Sequence, residues 1–329
     1  MKKELLKQGH KTIQKFAMPT LLTALAALVL LSCGRNEDDT ESTSTLRELT
    51  FSNQSQFLKE LEIESYRDAE ALETPPVFQW NFSKKQIYSY TYEQKVRNKT
   101  NMDAFSKTSQ DTEQTMTGKG ELLIKSQGDH TANLVLKDMK MKMEMNLSEE
   151  GGPKTMEQTA PQMVIQGMKE DGSLSLCNSS QEMLLRMLFP LPSKGLKVGE
   201  SVDVPAYMPF NAMGSLLQVK GRSRITLTKY VKIGGHTCAQ FDTDIDISEL
   251  NLPSELKGDY SCSEKGASRF YFDIAKRRFI SGSIAIMMQF SIDAPMPQMR
   301  VGGEKTPDMP KRAQMSMVSD NLIRVAIKE

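Results

Sequence analysis

Gly120-Glu121-Leu122-Leu123-Ile124-Lys125-Ser126-Gln127-Gly128-Asp129-His130-Thr131-Ala132-Asn133-Leu134-Val135-Leu136-Lys137-Asp138-Met139-Lys140-Met141-Lys142-Met143-Glu144-Met145-Asn146-Leu147 reads as two strands and the turn between them. Successive side chains of a strand point to opposite faces, so Gly120, Leu122 and Ile124 share one side of the first arm. Gln127 to His130 is turn chemistry, and Ala132, Leu134 and Leu136 line the returning arm. The parity then changes, and Met139, Met141, Met143, Met145 and Leu147 carry the apolar face onward. One extra residue in a β-bulge produces that switch, which places the bulge at Lys137-Asp138.

The same period extends in both directions. Ile87-Tyr88-Ser89-Tyr90-Thr91-Tyr92 puts three tyrosines on one side, and Met163-Val164-Ile165 and Ser173-Leu174-Ser175-Leu176 flank Asp171-Gly172 as a hairpin. Further strands are expected from Leu216 to Tyr230, then after a Gly234-Gly235 turn from Cys238 to Ile247. Others run from Ser268 to Ile274, from Phe279 to Ile292, and from Gln314 to Ile327 with a break near Asp320. Ile284, Ile286, Met288, Phe290 and Ile292 share one face. Glu150-Gly151-Gly152-Pro153 and Pro295 to Pro310 read as loops.

Two segments lean helical. Phe57, Leu58 and Leu61 sit at helical spacing before Ile63 and Tyr66, which predicts a helix over 54–71 ended by Thr74-Pro75-Pro76. Ser179-Ser180-Gln181-Glu182 matches a capping box ahead of Met183, Leu184, Met187 and Leu188, with Pro190-Leu191-Pro192 as the stop. The expected fold class is mainly β: a curved antiparallel sheet, half-barrel or sandwich with one or two short helices. A helical lead-in over 51–74 precedes an antiparallel β domain over 75–329, whose two sub-halves meet near 178–215. Phe78 to Lys85 and Phe270 to Arg277 look alike, aromatic strands running into basic turns.

The first residues have a separate logic. Lys2, Lys3, Lys7, Lys11 and Lys15 make a basic start, an apolar run from Leu21 to Leu31 follows, and Ser32-Cys33-Gly34 closes it. That order is the signal-peptide pattern, and the run is shorter than the ~20 residues a spanning helix needs. Leu30-Leu31-Ser32-Cys33 resembles the lipobox of bacterial lipoproteins. The resemblance implies a signal peptide over 1–32, cleavage before Cys33, and diacylglycerol on the Cys33 sulfur with a further acyl chain on the freed amine. Two chains suffice for stable anchoring. Residues 33–50 are polar and acidic, a flexible tether that cannot bury a core. Gly34 after the cysteine resembles the outer-membrane sorting signal of enterobacteria-like species, and the acidic cluster resembles the surface-export tethers of Bacteroidetes-like lipoproteins. The expected site is the outer membrane, on its periplasmic face or the cell surface. Leu191 to Ser201 also resembles a phrase in uncharacterised envelope proteins built of long antiparallel strands.

A cut before Cys33 removes five Lys and one Glu, so 42 basic and 41 acidic residues become 37 and 40, a net charge near −3. That is no nucleic-acid footprint. Cys177, Cys238 and Cys262 remain, in a compartment that permits disulfides. Cys238 and Cys262 lie equally far on either side of Leu250, where a turn is expected, which makes them a candidate disulfide; Cys177 is then a buried small residue.

Candidate chemistry is sparse. The Met139, Met141, Met143 and Met145 stripe admits three readings: a thioether site for Cu(I), ordinary core, or a pliable apolar cavity wall facing a ligand. Neighbours on one strand face sit roughly 6–7 Å apart, which favours the last two. His130 and His236 flank hairpin turns. Asp242, Asp244 and Asp246 alternate on one face, a solvated acidic face rather than the folded oxygen cage calcium wants. Phosphate loops, dinucleotide fingerprints and Gly-x-Ser-x-Gly are absent. The expectation is a membrane-anchored protein that is not an enzyme, needs no metal or other cofactor, and holds an apolar ligand or lipid on the Met-rich face. The alternative is a structural lipoprotein that docks an envelope protein on loops such as 295–310. The carrier reading resembles lipoprotein-carrier half-barrels in architecture alone.

Overall fold

In the computed structural model, residue 61 and residues 66–102, 110–147, 154–175, 179–212, 215–252, 258–295, 300–301, 304–305 and 312–328 are described. Among them β2 (Gln86–Met102), β3 (Gln110–Ser126) and β4 (Thr131–Leu147) form one antiparallel meander. A second comprises β8 (Ser215–Ile233), β9 (His236–Asn251), β10 (Asp259–Asp273) and β11 (Arg278–Pro295). The final long strand, β14 (Arg312–Ile327), lies between β11 and β2 and joins the two.

Each edge is shared by two short strands. On β4, β5 (Lys154–Thr159) pairs the second half and β6 (Met163–Lys169) the first. On β8, β7 (Ser201–Ala212) pairs most of the strand, and β1 (Arg67–Ala69) pairs its end. The result is a twelve-stranded antiparallel sheet that does not close into a barrel. A two-stranded ribbon, β12 (Arg300–Val301) and β13 (Glu304–Lys305), stands apart from it.

The sheet is strongly curved. The Trp80 amide donates to the Glu170 carbonyl just past β6, while the Phe78 ring meets Phe241 of β9 at 4.8 Å. Strands spaced about 4.8 Å apart would put β6 and β9 more than ~30 Å apart if the sheet were flat. Two residue steps span at most ~7 Å. Glycines on the concave face permit the bend: a Cβ on Gly221 would strike the Asp246 backbone, and one on Gly282 would strike the Phe270 ring. Glycine inside a strand marks such close approaches.

A helix, α1 (Ser179–Leu188), lies on the concave face, and Phe189 follows it into the core. Its ring touches Trp80, Tyr90, Phe270 and Phe279 at centroid distances of 5.3 to 6.4 Å. Trp80, Phe82, Tyr90, Phe241, Phe272 and Phe279 are likewise fully buried. These aromatics fill one end of the concavity. The Tyr90 hydroxyl donates to the Phe279 carbonyl at 2.8 Å, which satisfies the polar tip of a buried ring. On the convex face Leu61 packs on Ala267, Ala285 and Met287. Tyr66 packs edge-on against Tyr271 at 4.9 Å.

The bulge sits where the parity switch places it. Glu121 pairs Lys137 and Lys119 pairs Lys140, and Asp138 takes a φ of 53°. The three tyrosines of β2 all point inward and are buried. The hairpin at Asp171-Gly172 forms, but its return arm is a single bridge from Met168 to Leu174.

Four expectations change. Residues 67–69 of the predicted helix are strand β1, because pairing to β8 outweighs local helical spacing. β14 runs unbroken through Asp320, whose carboxylate is held by Arg97 at 2.9 Å. Phe78 to Phe82 crosses the core without strand pairing, unlike Phe270 to Asp273 in β10. The Glu182 carboxylate is engaged by the Arg186 guanidinium one turn on. Cys33, the 33–50 tether, residues 54–60 of the expected helix, Cys177 and the side chains of Ser179 and Ser180 lie outside the described residues.

Candidate functional site

Because α1 stands off the sheet, its apolar side and the strands beneath enclose a cleft of about 230 Å³. Met183, Met187 and Leu191 line it from above, and Val204 and Ala206 of β7 with Ile225 of β8 line it from below. Its charged lining residues, Glu182 and Arg186, neutralise each other: Nε and one terminal nitrogen of Arg186 reach the same Glu182 oxygen at 3.0 and 2.8 Å. The remaining lining is largely apolar, the chemistry of a small hydrophobic ligand site.

Strand register carries the inner face onward from the cleft. Ala206 pairs Gly221, Gly221 pairs Ile247, and Ile247 pairs Glu264. The row continues through Met288 and Ser319 to Asn98, then through Gln114 to Met145. Directly paired residues share a face, so the cleft, Glu264 and the methionine stripe lie on one concave surface.

Glu264 is the unusual member. Its side chain is 0% exposed and neither carboxylate oxygen has a hydrogen-bond partner. Burial pushes its pKa up to about 7, because the charged form loses hydration without gaining a counter-charge. Asn98, 4% exposed, has an unpartnered Oδ1 on the same face. Nearby, Gln94 donates to Asn321 at 3.2 Å and accepts from the Tyr92 hydroxyl at 3.2 Å. No apolar alternation marks this region, so period-two reading passed over Glu264 and Asn98. A lone Glu among Cys262, Gly266 and Ser268 was the available signal.

The sequence-predicted residues divide. Met139, Met141, Met143 and Met145 all face inward. Met139 is buried over Gly118 and Gly120, Met143 is buried, and Met141 and Met145 are half-buried. None of the four lines the cleft under α1.

The candidate disulfide is not formed, and both thiols are free. Cys238 pairs Asp273 on the convex side, while Cys262 pairs Phe290 on the concave side. The β9–β10 reversal is centred beyond Leu250, since Ile247 already faces Glu264, and the offset puts the cysteines on opposite faces. Burial raises each thiol to about 12.

Each of the two described histidines sits by a carboxylate, His130 at 3.3 Å from Glu170 and His236 at 3.5 Å from Asp273. Asp242 is not solvated as expected: Arg269 grips it with two bonds of 2.6 and 2.7 Å. Among the described residues no three His, Cys, Asp or Glu side chains converge as a metal site.

No protein-family model matches the chain, and no curated protein does. Solved structures give distant likenesses. A structure of lipid–protein interactions in lipovitellin is 8% identical with a TM-score of 0.38, over 74% of this chain and 25% of that one. The secretin InvG of the Salmonella injectisome is 9% identical with a TM-score of 0.15, over 74% and 64%. A DUF1329 family protein from Desulfovibrio piger is 10% identical with a TM-score of 0.11, over 71% and 84%. This chain thus spans about a quarter of the lipovitellin chain. At such scores a likeness says nothing about ligand or partner.

Proposed function

We propose that the chain is a lipid-anchored protein of the bacterial envelope that binds or carries an apolar ligand or lipid and catalyses no reaction. The observation that supports carriage is the apolar cleft between α1 and β7–β8, walled in part by Met183 and Met187. Methionine suits such a wall, because its unbranched thioether adapts to ligands of varied shape. Placement in the outer membrane, on its periplasmic face or the cell surface, rests on the likeness of Leu30 to Cys33 to a lipobox. Among the described residues no helix is long and apolar enough to cross a membrane.

A second reading, a structural lipoprotein that docks an envelope partner, draws on the aromatic cluster around Phe189, which fills the concavity beside the cleft. One experiment separates the two. The full chain and an Ala206→Trp variant, which fills the cleft, are incubated with a phospholipid extract and weighed by native mass spectrometry. Carriage predicts lipid adducts on the wild type that the variant loses while its melting transition persists. A wild type that stays bare favours the structural reading. In parallel, palmitate labelling that is lost in Cys33→Ser supports the anchor, and unlabelled wild type removes it.

A further inference from the structure

Glu264 is the point where this interior departs from what an apolar core needs. A buried carboxyl without a donor is costly, and a protein that only packed its core would place Leu or Gln there. The neighbours across the ladder, Ile247 and Met288, offer no hydrogen bond from their side chains. Further along the row Asn98 presents a second acceptor, Oδ1, also without a donor. Thr243 Oγ1, on the same inward face, is also unpartnered and can donate or accept, and Trp80 Nε1 in the aromatic cluster is an unmet donor. Among the described residues of this face, Glu264 is the one unmet group that can carry charge.

The cations lie on the other face. Lys95, Arg97, Arg222 and Lys265 alternate with the inward residues of their strands, and all four are exposed on the convex side. Arg186, beside the cleft, is held by Glu182. No described Lys or Arg of the strands flanking this row is aimed at Glu264, so no described cation neutralises its ionised form.

We propose that this concave surface carries a head-group site centred on the Glu264 carboxyl, which takes the protonated amine of an amphiphile whose apolar body extends toward the cleft under α1. This rests on the carrier reading above and specifies the head that the ligand bears. An ammonium group brings both the charge and several donors, so one N–H serves each oxygen of the Glu264 carboxylate, while Asn98, three strands along the row, adds a separate acceptor for a longer polar head. An anionic head would meet a carboxylate and a carbonyl oxygen, and is repelled. An alcohol supplies one donor and leaves the charge unmatched. Methionine and isoleucine on both sides of Glu264 receive the chain.

The test uses the purified full chain and its Glu264→Gln variant, titrated calorimetrically at pH 7.5 with dodecylamine below micelle formation and with 1-dodecanol below its solubility limit. The expected result is an amine affinity about ten- to hundredfold above that of the alcohol, the size of a charge-assisted hydrogen bond. Glu264→Gln brings the amine down to the alcohol's level, and a cooperative melting transition shows that the variant is folded. Equal binding of the two probes, or an amine preference that survives Glu264→Gln, overturns the head-group site while leaving carriage intact. Binding of neither probe overturns the carrier reading and the head-group site with it.

Discussion

Glu264 makes a stability prediction independent of any ligand. Its folded titration, near 7, lies above the 4.5 of an unburied glutamate, and burial is the cause. The folded state therefore keeps the proton over a window in which the unfolded chain has lost it. The contribution of Glu264 to stability is largest below about pH 4.5, falls as pH rises toward 7, and is flat above. A titration displaced this far is worth about 3 kcal/mol. Glu264→Gln carries no charge, so urea midpoints at pH 5 and pH 8 are expected to converge for the variant and diverge for the wild type. Equal divergence in both would show that the carboxyl finds a partner or water. At this scale the sequence was partly legible. The inward methionines follow from alternation, whereas Glu264 does not, because one acidic residue in a strand looks the same whichever face it occupies.

The elements split along the same physical line. Strands with one apolar and one charged face were legible, and the bulge at Asp138 followed from a parity switch that backbone geometry alone explains. The second half of β2 was not legible, since its inward residues Gln94, Asn98 and Thr100 are polar and buried and erase the contrast that alternation needs. β5 was missed for the opposite reason: every residue of Lys154–Thr159 is exposed. β7 contains Pro205 and Pro209, which argue against a central strand but are tolerated on an edge. The helix was legible, yet its weight in the fold comes from the residue after it. Phe189 joins rings from β2, β10 and β11, so Phe189→Ala should leave a cavity in the aromatic cluster and cost about 3–5 kcal/mol. Urea unfolding followed by near-ultraviolet dichroism measures it. A loss below ~1 kcal/mol would mean that the cluster collapses around the gap, and that α1 can lift from the sheet at little cost.

For the sheet as a whole, the order of strands matters more than their number. Among the described residues, the meander β2–β3–β4 and the meander β8–β9–β10–β11 share no ladder except through β14. Arg312 to Ala326 pairs Pro295 to Ser281 on one side, and Met315 to Ile327 pairs Met102 to Tyr90 on the other. The strand made last in the sequence is therefore the seam, and its partner β2 is among the first, a long-range pairing that slows folding. Alternation showed that a strand ends the chain but not where it inserts, because register against two distant partners leaves no local trace. Two contributions can hold the meanders together, the β14 ladders and the aromatic cluster, in which Trp80 meets Tyr88 of β2 and Phe279 of β11. Ending the chain after Lys311 removes the first and leaves the second. If the ladders dominate, the truncated protein unfolds without a cooperative transition. Emission from Trp80, the protein's one tryptophan, then moves to the wavelength of a solvated indole. Ile323→Asp, which puts a charge on the buried face of the same strand, should move both readouts in the same direction by a smaller amount. A truncated chain that keeps blue-shifted emission and a single sharp transition would instead assign the cohesion of the two meanders to the rings around Phe189.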